Sequence, residues 1–441
     1  MTHGRLVIWL LLSLLPAFAQ DSLRPLTILH SNDLHAHLVP DERDRGGFAR
    51  LATAVKREKA NCSACLYLNA GDLVQGTPVS TIFNGTPVYE IANLMGLDVS
   101  TLGNHEFDYG WRGVLEFKRM ARYPLLSANV VDDDGKSITG QPYAIKTVGG
   151  IRVGIIGVVL ENLVGSMVTA QQAGQYKVRP VVETVRKYAA ELRDRTDIII
   201  ALGHIRDREE VAAILSELPE VAVVVAGHNH RGYREMMNTG GRLGVLVDGY
   251  GVELGRLDLK VDVVAKNVRS AEWKKIAINK RIPPDAAVER LVSTWEAKVT
   301  KIVDMPIGES KTGYTDRAKL RPLLEKAMAE QTGADFAWIN LGNIRDDLPQ
   351  GKILARHIWN ILPFDNYLVT GKFKGSQLPK AITGRYPVDP NREYTVTTTD
   401  FTMANQASPE QLGTTGLVFP NTGPLERDAV IEWIKKKKVV P

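Results

Sequence analysis

Histidine is unevenly distributed along this 441-residue chain. Seven of its nine histidines lie at or just after the ends of short apolar runs: His30, His35, His37, His105, His204, His228 and His230. Carboxylate and amide side chains occur at the same places, in Asp33, Asp72 and Asn104. Imidazole nitrogen combined with carboxylate and amide oxygen, without thiolate, suits zinc, manganese or iron. The residue types therefore predict metal chemistry.

Five short blocks carry these side chains in chain order, and four of the blocks contain a glycine directly before a candidate ligand: Gly71, Gly103, Gly203 and Gly227. Glycine lets the backbone turn tightly and come close to a metal. Two cations held roughly 3.5–4 Å apart can bind a phosphoester and generate hydroxide from water at neutral pH. One carboxylate must then bridge them, because a shared anion offsets their repulsion. A single block also arises by chance, but five in order predict one site.

The block "LGNHEFDYG" crowds four polar groups into a strand-to-helix turn: Asn104, His105, Glu106 and Asp108. A protonated His105 would stabilise negative charge that develops on phosphoryl oxygens. Asp108, three residues later, would fix the tautomer of His105 and support its charged form. The alternative is that Asp108 only caps the following helix. Glu106 is interpreted as a turn or helix-start residue with no part in the site.

Apolar runs alternate with segments of helical spacing from Leu26 to about residue 260. Continuous apolar runs of this length predict buried strands of an α/β fold, with the site outside their carboxyl ends. Residues 285–302 predict an amphipathic helix after Pro283 and Pro284, which connects to a second segment over about 304–441. "EYTVTTTDF" predicts a strand within that second segment.

The N-terminal residues are typical of a secretory signal. Arg5 precedes an apolar stretch over 6–15, and Ala17-Phe18-Ala19 offers a cleavage site. Ten apolar residues are too few to span a bilayer. The alternative is an uncleaved anchor. We expect a signal peptide at 1–19 and a secreted or periplasmic protein without a stable membrane anchor.

The formal net charge of +5, against 55 basic and 50 acidic residues, does not favour a nucleic-acid partner. The run Lys435 to Lys438 ends an amphipathic pattern, where cations favour a helix C-terminus. The only two cysteines are Cys62 and Cys65. In an oxidising compartment they predict a local disulfide, with two free thiols as the alternative.

The ordered set "SNDLHAHL", "LNAGDLVQG", "LGNHEFDYG", "ALGHIRD" and "VVAGHNH" resembles the calcineurin-like metallophosphoesterases, and specifically the exported 5′-nucleotidase family. The resemblance covers nearly the whole mature chain. It implies a four-layer α/β fold, in which a β-sheet sandwich is flanked by helices, plus a smaller α+β C-terminal domain. The implied boundaries are 22–280 for the phosphoesterase domain, 281–303 for a linker helix and 304–441 for the C-terminal domain that supplies substrate specificity.

The resemblance also implies two divalent metal ions, zinc, manganese or similar. A first ligand set would consist of Asp33, His35 and His230. A second ligand set would consist of Asn104, His204 and His228, with Asp72 bridging the two metals. His105 would face the substrate phosphate, and Asp108 would orient it. His37 is interpreted as an outer or surface residue, and His30 as packed on its strand.

Two C-terminal blocks match the family's substrate-contacting motifs. "INLGNIRDDL" carries Arg345, and "ILPFDNYL" carries Asn366. Both blocks depart from the family pattern, with Asn343 and Asp365 where the family has glycine. The family's two base-stacking segments are shortened or lack their glycine signature, and Tyr386 or Phe419 would have to substitute.

The resemblance therefore implies hydrolysis of 5′-nucleotides or related small phosphoesters. Alternatives on the same site are nucleotide-sugar hydrolysis, 2′,3′-cyclic-nucleotide phosphodiesterase activity and sulfate-ester chemistry. An alternative of another class is a catalytically silent binding module. The oligomeric state and the identity of the metals stay open.

Overall fold

The computed structural model describes residues 22–161, 176–404 and 417–441. The predicted signal peptide lies outside these residues. The strands are, in chain order, β1 (Leu23–Ser31), β2 (Cys65–Asn69), β3 (Val99–Thr101), β4 (Leu125–Leu126), β5 (Val130–Val131), β6 (Tyr143–Val148), β7 (Ile151–Val159), β8 (Lys177–Val178), β9 (Ile198–His204), β10 (Val221–Gly227), β11 (Met237–Thr239), β12 (Arg242–Val245), β13 (Glu253–Asp262), β14 (Asn267–Ala277), β15 (Pro306–Ser310), β16 (Phe336–Ala337), β17 (Gly351–Leu354), β18 (Tyr367–Lys374), β19 (Glu393–Thr399), β20 (Asn421–Leu425) and β21 (Val439–Val440).

The α-helices are α1 (Phe48–Ala60), α2 (Pro78–Ile82), α3 (Thr86–Ala92), α4 (Gly110–Met120), α5 (Val181–Leu192), α6 (Ala212–Glu217), α7 (Ala286–Val303), α8 (Arg317–Thr332), α9 (Ala355–Ile361), α10 (Lys380–Thr383), α11 (Asp400–Ala404) and α12 (Glu426–Lys437). A short 3-10 turn, His105–Phe107, precedes α4.

Two six-stranded sheets form the first part of the chain. Their strand orders are β14-β13-β1-β2-β3-β4 and β11-β12-β10-β9-β7-β6. Strands β1 to β4 run parallel to one another, as do β7, β9, β10 and β12. Antiparallel strands lie at the sheet edges, where β13 pairs with β1 and β6 pairs with β7. The parallel centres bring the carboxyl ends of several strands to one edge of each sheet.

The two sheets pack face to face through an apolar cluster that includes Ile28 and Leu68 from one sheet and Ile155 and Ile200 from the other. Helices α1, α3, α4 and α7 bury their apolar sides on the outer face of the first sheet. Helices α5 and α6 cover the outer face of the second. This helix–sheet–sheet–helix arrangement confirms the predicted four-layer α/β fold, because continuous apolar strands must be covered on both faces.

The helix predicted at 285–302 is present as α7 and packs into the core of the first sheet's helical layer. Asp285 caps it by accepting hydrogen bonds from Ala287 N and Val288 N. Val288, Val292, Val299 and Val303 recur along one side of α7 and are buried in that core. The spacing of these valines explains both the helix and the face that it buries.

The second part of the chain has its own apolar core, formed mainly by α8, α9 and α12 against two small sheets. The sheet orders are β17-β15-β21 and β16-β19-β18-β20. The predicted strand "EYTVTTTDF" corresponds to β19, and three lysines lie in the last turn of α12 as expected.

Three further sequence expectations can be compared with the described residues. Cys62 and Cys65 are paired as a disulfide, with their Cα atoms 6.1 Å apart. Among the described helices, none combines the length and apolar character that crossing a membrane would need. His30 is fully buried on β1 and accepts a hydrogen bond from Trp273 Nε1 through Nε2.

Candidate active site

The five polar blocks follow the carboxyl ends of five strands from both sheets. Asp33 lies just beyond β1, Asp72 beyond β2 and Asn104 beyond β3. His204 is the last residue of β9, and His228 directly follows β10. Because β1, β2 and β3 run parallel in one sheet and β9 and β10 in the other, their loops lie at one edge of each sheet, where these side chains meet. The topology therefore gathers side chains that are up to two hundred residues apart in sequence.

The first ligand set forms a compact group. One ligand atom from each of Asp33, His35 and His230 lies within 4.8 Å of the others. The Nε2 atoms of His35 and His230 are 3.1 Å apart, and His230 Nε2 is 3.5 Å from Asp33 Oδ1. These separations suit three donors that point at one cation.

Asp72 and His204 form a second group with Asp33. His204 Nε2 lies 3.1 Å from Asp72 Oδ2 and 3.1 Å from Asn104 Oδ1. The His228 ring is edge-on to the His204 ring, with centroids 5.2 Å apart. The structure thus brings the members of the second ligand set together, although their role as ligands stays a prediction.

Asp72 lies between the two ligand sets. Its Oδ2 atom is 3.5 Å from His35 Nε2 and 3.1 Å from His204 Nε2. Its other oxygen, Oδ1, accepts a hydrogen bond from His105 N at 2.9 Å. One carboxylate oxygen therefore faces both imidazoles, which is the position that a bridging ligand must occupy.

The donor chemistry fits cations. Asp33 and Asp72 are at most 1% exposed, and in the described part of the chain neither forms an ion pair with lysine or arginine. Burial opposes a charged His204, but Asp72 and Asp33 outweigh that effect and raise the pKa of His204 to about 9. Buried carboxylates without a basic partner attract positive charge, and a divalent cation would supply it.

The orientation of His204 supports the same conclusion. Its Nδ1 lies 2.9 Å from the carbonyl oxygen of Ala70. A carbonyl only accepts, so Nδ1 carries a proton and donates it to Ala70, and Nε2 is the nitrogen that would bind a cation in place of its own proton.

Several candidate ligands adopt left-handed backbone conformations that are unfavourable for residues with a Cβ atom. The φ angles are 50° at Asp33, 46° at His35, 52° at Asp72 and 84° at His228. Such conformations persist where the surroundings impose them, and they cluster at functional sites.

Two glycines allow the loops to approach one another. A side chain at Gly103 would collide with the Asp72 carboxylate. A side chain at Gly227 would collide with the Ala70 carbonyl and lie 2.9 Å from His204 Nδ1. The expected role of glycine beside the ligands is therefore visible as close contact between loops.

His105 and Asp108 lie at the edge of this cluster. His105 Nδ1 is 2.9 Å from Asp108 Oδ2, and the His105 side chain is 8% exposed. Burial disfavours the charged imidazole, but Asp108 and Asp72 outweigh it and raise the pKa of His105 above its ordinary value. The protein's own charges thus favour an imidazolium beside the cluster.

Both parts of the chain are similar to known protein families. The sequence profile of the calcineurin-like phosphoesterases matches residues 26–232, and that of the 5′-nucleotidase C-terminal domain matches residues 298–386. The snake venom 5′-nucleotidase of Gloydius brevicauda is 33% identical over 411 residues, which cover 81% of this chain and 69% of that protein. The chain belongs to the 5′-nucleotidase family.

Two other similarities extend over most of this chain. Endonuclease YhcR of Bacillus subtilis (strain 168) is 28% identical over 93% of this chain, which spans only 40% of that relative's length. The crystal structure of a 5′-nucleotidase precursor from Thermus thermophilus has a TM-score of 0.84 at 23% identity, covering 95% of this chain and 97% of that one. This structure shows that the fold is shared. The predicted family and the prediction of a metal-dependent phosphoric ester hydrolase are confirmed.

The Glu106 carboxylate joins two loops of the site in this 5′-nucleotidase family member, a role that was not predicted from the sequence. Its carboxylate is fully buried and accepts backbone hydrogen bonds from Gly103, Asp72, Leu73 and Val74 at 2.5, 3.1, 2.8 and 3.4 Å. It therefore ties the Asp72 loop to the turn that carries Asn104 and His105. Its position in the turn before α4 is as expected, whereas its hydrogen bonds to the Asp72 loop were not predicted. No sequence signal could reveal this, because the donors are backbone groups that almost every residue has.

Arg345 from the second part of the chain reaches the cluster. Its Nη2 atom lies 3.5 Å from His230 Nε2, and its guanidinium lies 5.9 Å from the centre of the Phe364 ring. Phe364 in turn stacks on His105, with ring centroids 5.6 Å apart. Phe364 is not among the predicted site residues, although it lies within the "ILPFDNYL" block.

Asn366, the other predicted substrate residue, is not joined to the cluster by the hydrogen bonds found among the described residues. It is buried, and its Nδ2 atom donates to Glu426 Oε1 at 3.0 Å. Tyr386 packs on Phe336 at 5.1 Å between ring centroids, and Phe419 packs on Phe373 at 4.9 Å. The substrate roles of these three residues stay predictions.

Proposed function

We propose that this chain hydrolyses 5′-nucleotides or related small phosphoesters with two divalent metal ions. The observation that carries the proposal is the position of Asp72 Oδ2, which faces His35 of the first ligand set and His204 of the second. Asp33, His35 and His230 would hold one cation, and Asn104, His204 and His228 would hold the other. When bound, the cations supply hydroxide from water at neutral pH and offset the charge of the phosphoryl group.

His105 stabilises the phosphoryl group as negative charge develops on its oxygens. The charged imidazole, supported by Asp108 at 2.9 Å, acts from a buried position where hydrogen bonds to charge are strong. Asp108 holds the Nδ1 proton of His105 and leaves Nε2–H to meet the substrate. Phe364 covers one face of the imidazole and limits the access of water to it.

The C-terminal part binds the rest of the substrate in this proposal. Residues 22–280 form the catalytic domain, 281–303 the linker helix and 304–441 the specificity domain. Arg345 is placed to contact a phosphate or other anionic group beside His230, because a guanidinium donates several hydrogen bonds in one plane. Asn366 contacts the nucleoside if its bond to Glu426 is exchanged for one to substrate. We also propose export through the signal peptide at 1–19.

A substrate panel tests the proposal. The purified protein, loaded with manganese or zinc, is given nucleoside monophosphates, 2′,3′-cyclic nucleotides, nucleotide sugars, a sulfate ester and a short oligonucleotide. We expect phosphate release from at least one nucleoside monophosphate and a large loss of that activity in Asp72→Asn. Glu432→Gln, on the exposed side of α12, is the matched control and should behave as wild type.

The outcome of the panel separates the alternatives. Hydrolysis only of cyclic nucleotides, nucleotide sugars, the sulfate ester or the oligonucleotide, measured by separating the products, would replace the proposed substrate by that class. Two bound metals without turnover of any compound would support the catalytically silent binding module.

A further inference from the structure

We propose that Tyr250 is the positioning residue for the first ligand set, a role that rests on the proposed function. Tyr250 contacts all three members of that set. Its backbone N donates to Asp33 O at 2.6 Å, and its hydroxyl lies 2.7 Å from His230 Nδ1. Its ring lies 5.8 Å from the His35 ring, measured between centroids. One residue therefore connects all three, Asp33 through its backbone N and His35 and His230 through its side chain.

The two nitrogens of His230 face different partners. Nε2 faces the cluster, 3.1 Å from His35 Nε2 and 3.5 Å from Asp33 Oδ1. Nδ1 faces the Tyr250 hydroxyl. A cation on Nε2 requires its lone pair, so Nδ1 must then carry the proton and donate it to the hydroxyl oxygen. The hydroxyl thus stabilises the tautomer and the ring orientation that bind metal.

Two other histidines of the ligand sets, His204 and His35, differ from His230 in what faces Nδ1. His204 Nδ1 has the Ala70 carbonyl at 2.9 Å, whereas His35 Nδ1 is buried without a hydrogen-bond partner in the described part of the chain. Of the three, only His230 depends on a side chain that can be altered. Loss of that side chain should therefore act on one ligand set and leave the other intact.

The backbone holds Tyr250 in place at a conformational cost. Its φ angle is 62°, in the left-handed region that glycine adopts freely and tyrosine does not. Gly249 N donates to His230 O at 3.0 Å, and a side chain at Gly249 would approach Asp33 Cβ to 3.1 Å. The loop is thus pressed against two ligands, and a tyrosine is kept where the backbone alone would favour glycine.

In the described part of the chain, the contacts found for Tyr250 are with the first ligand set and not with the second. Its other ring neighbour is His37, with centroids 4.5 Å apart. None of the hydrogen bonds or ring contacts found for Tyr250 among the described residues involves Asp72, Asn104 or His204. A defect at Tyr250 should therefore appear in the first metal and spare the second.

The test is a calorimetric titration of the metal-free protein with Mn²⁺, comparing wild type, Tyr250→Phe and Tyr143→Phe. Tyr143 is a matched control, because its hydroxyl likewise accepts a hydrogen bond from a side-chain nitrogen, Arg195 Nη1 at 2.8 Å, and it lies on strand β6, away from the ligand sets. We expect Tyr250→Phe to raise the Kd of one of two sites by about 10–100-fold and to leave the other unchanged. Tyr143→Phe should match wild type at both sites.

A spectroscopic readout separates positioning from general damage. With Co²⁺ in place of Mn²⁺, the visible absorption of one site should change in Tyr250→Phe while unfolding of the metal-free protein stays as in wild type. If wild type binds two metals and releases phosphate but Tyr250→Phe has unchanged Kd values and spectra, the inference about Tyr250 is wrong and the proposed function stands. A wild-type protein that binds fewer than two metals would overturn both.

Discussion

His105 Nδ1 lies 2.9 Å from Asp108 Oδ2, and the backbone N of the same histidine donates to Asp72. His105, which would stabilise the transition state, is thus held by Asp108 at its side chain and by Asp72 at its backbone. A shift of the Asp72 loop must move His105 with it. A change in how Asp72 binds metal should therefore also change the position of His105 relative to the phosphoryl group.

We expect His105→Ala to lower kcat by about 100–1000-fold, because one preorganised donor to developing negative charge is lost. The metal content, measured by elemental analysis, should stay at the wild-type value, since His105 donates to Asp72 through its backbone. Asp108→Asn should also lower kcat. Because Asp108 helps to raise the pKa of His105, its loss lowers that pKa and moves the alkaline limb of the pH–rate profile to lower pH. A His105→Ala variant as active as wild type would refute the assigned role.

We expect Glu106→Gln to destabilise the protein by about 1–3 kcal/mol, since an amide cannot accept from all the backbone donors that face the carboxylate. Chemical denaturation of the metal-free protein measures this loss. Glu116→Gln is the control, because Glu116 is an exposed residue of α4 that forms an ion pair with Arg119. Metal affinity should fall in Glu106→Gln as well, because Asp72 and Asn104 lose their shared anchor. Equal stability of the two variants would contradict this prediction.

Glu426 should make stability depend on pH. Burial raises its pKa to about 8, and its Oε2 atom has no partner among the described residues. Between pH 4.5 and about 8 the folded protein holds a proton that the unfolded chain releases. The free energy of unfolding therefore falls by about 1.4 kcal/mol per pH unit in this window as pH rises.

The variant Glu426→Gln should remove this contribution. Its amide oxygen can still accept from Asn366, so the fold is retained. Denaturation at pH 5 and pH 8 should show the variant gaining stability relative to wild type as pH rises. Glu432→Gln, on the same helix and 62% exposed, should show no such gain. Parallel pH profiles for wild type and Glu426→Gln would count against the buried, protonated carboxyl.

Arg345→Ala should lower kcat/KM without lowering the metal content of the protein. Removing a charged hydrogen-bond donor to an anionic group corresponds to a loss of about 10–100-fold in kcat/KM. Arg392→Ala is the control, since Arg392 is an exposed arginine of the same part of the chain. If both variants keep wild-type kcat/KM, Arg345 is only a neighbour of His230.

The ligand cluster could be predicted from the sequence because its signal is chemical and local. His35, Asp72, Asn104 and His204 are unusual residue types at strand ends, and parallel strands place those ends together. The α/β fold followed from apolar runs interleaved with helices, as in β9 and β10. These features depend on residue type and order, whereas the four-layer arrangement was implied by the family resemblance.

The remaining features depend on partners that only the folded chain defines. Glu106 accepts hydrogen bonds from backbone groups, so the residue types of its partners give no sign of its role. Tyr250 follows His230 by twenty residues, and only the loop between them turns its hydroxyl toward Nδ1. Asn366 finds Glu426 sixty residues further along the chain. Pairings of this kind arise from tertiary packing, which periodicity does not encode.

The most direct measurement is anomalous X-ray diffraction from crystals of the protein grown with Mn²⁺ or Zn²⁺. The account predicts two anomalous peaks roughly 3.5–4 Å apart, with a carboxylate oxygen of Asp72 contacting both. His35 and His230 should contact one peak, and His204 and Asn104 the other. A single peak, or two peaks that do not share Asp72, would contradict the dinuclear site.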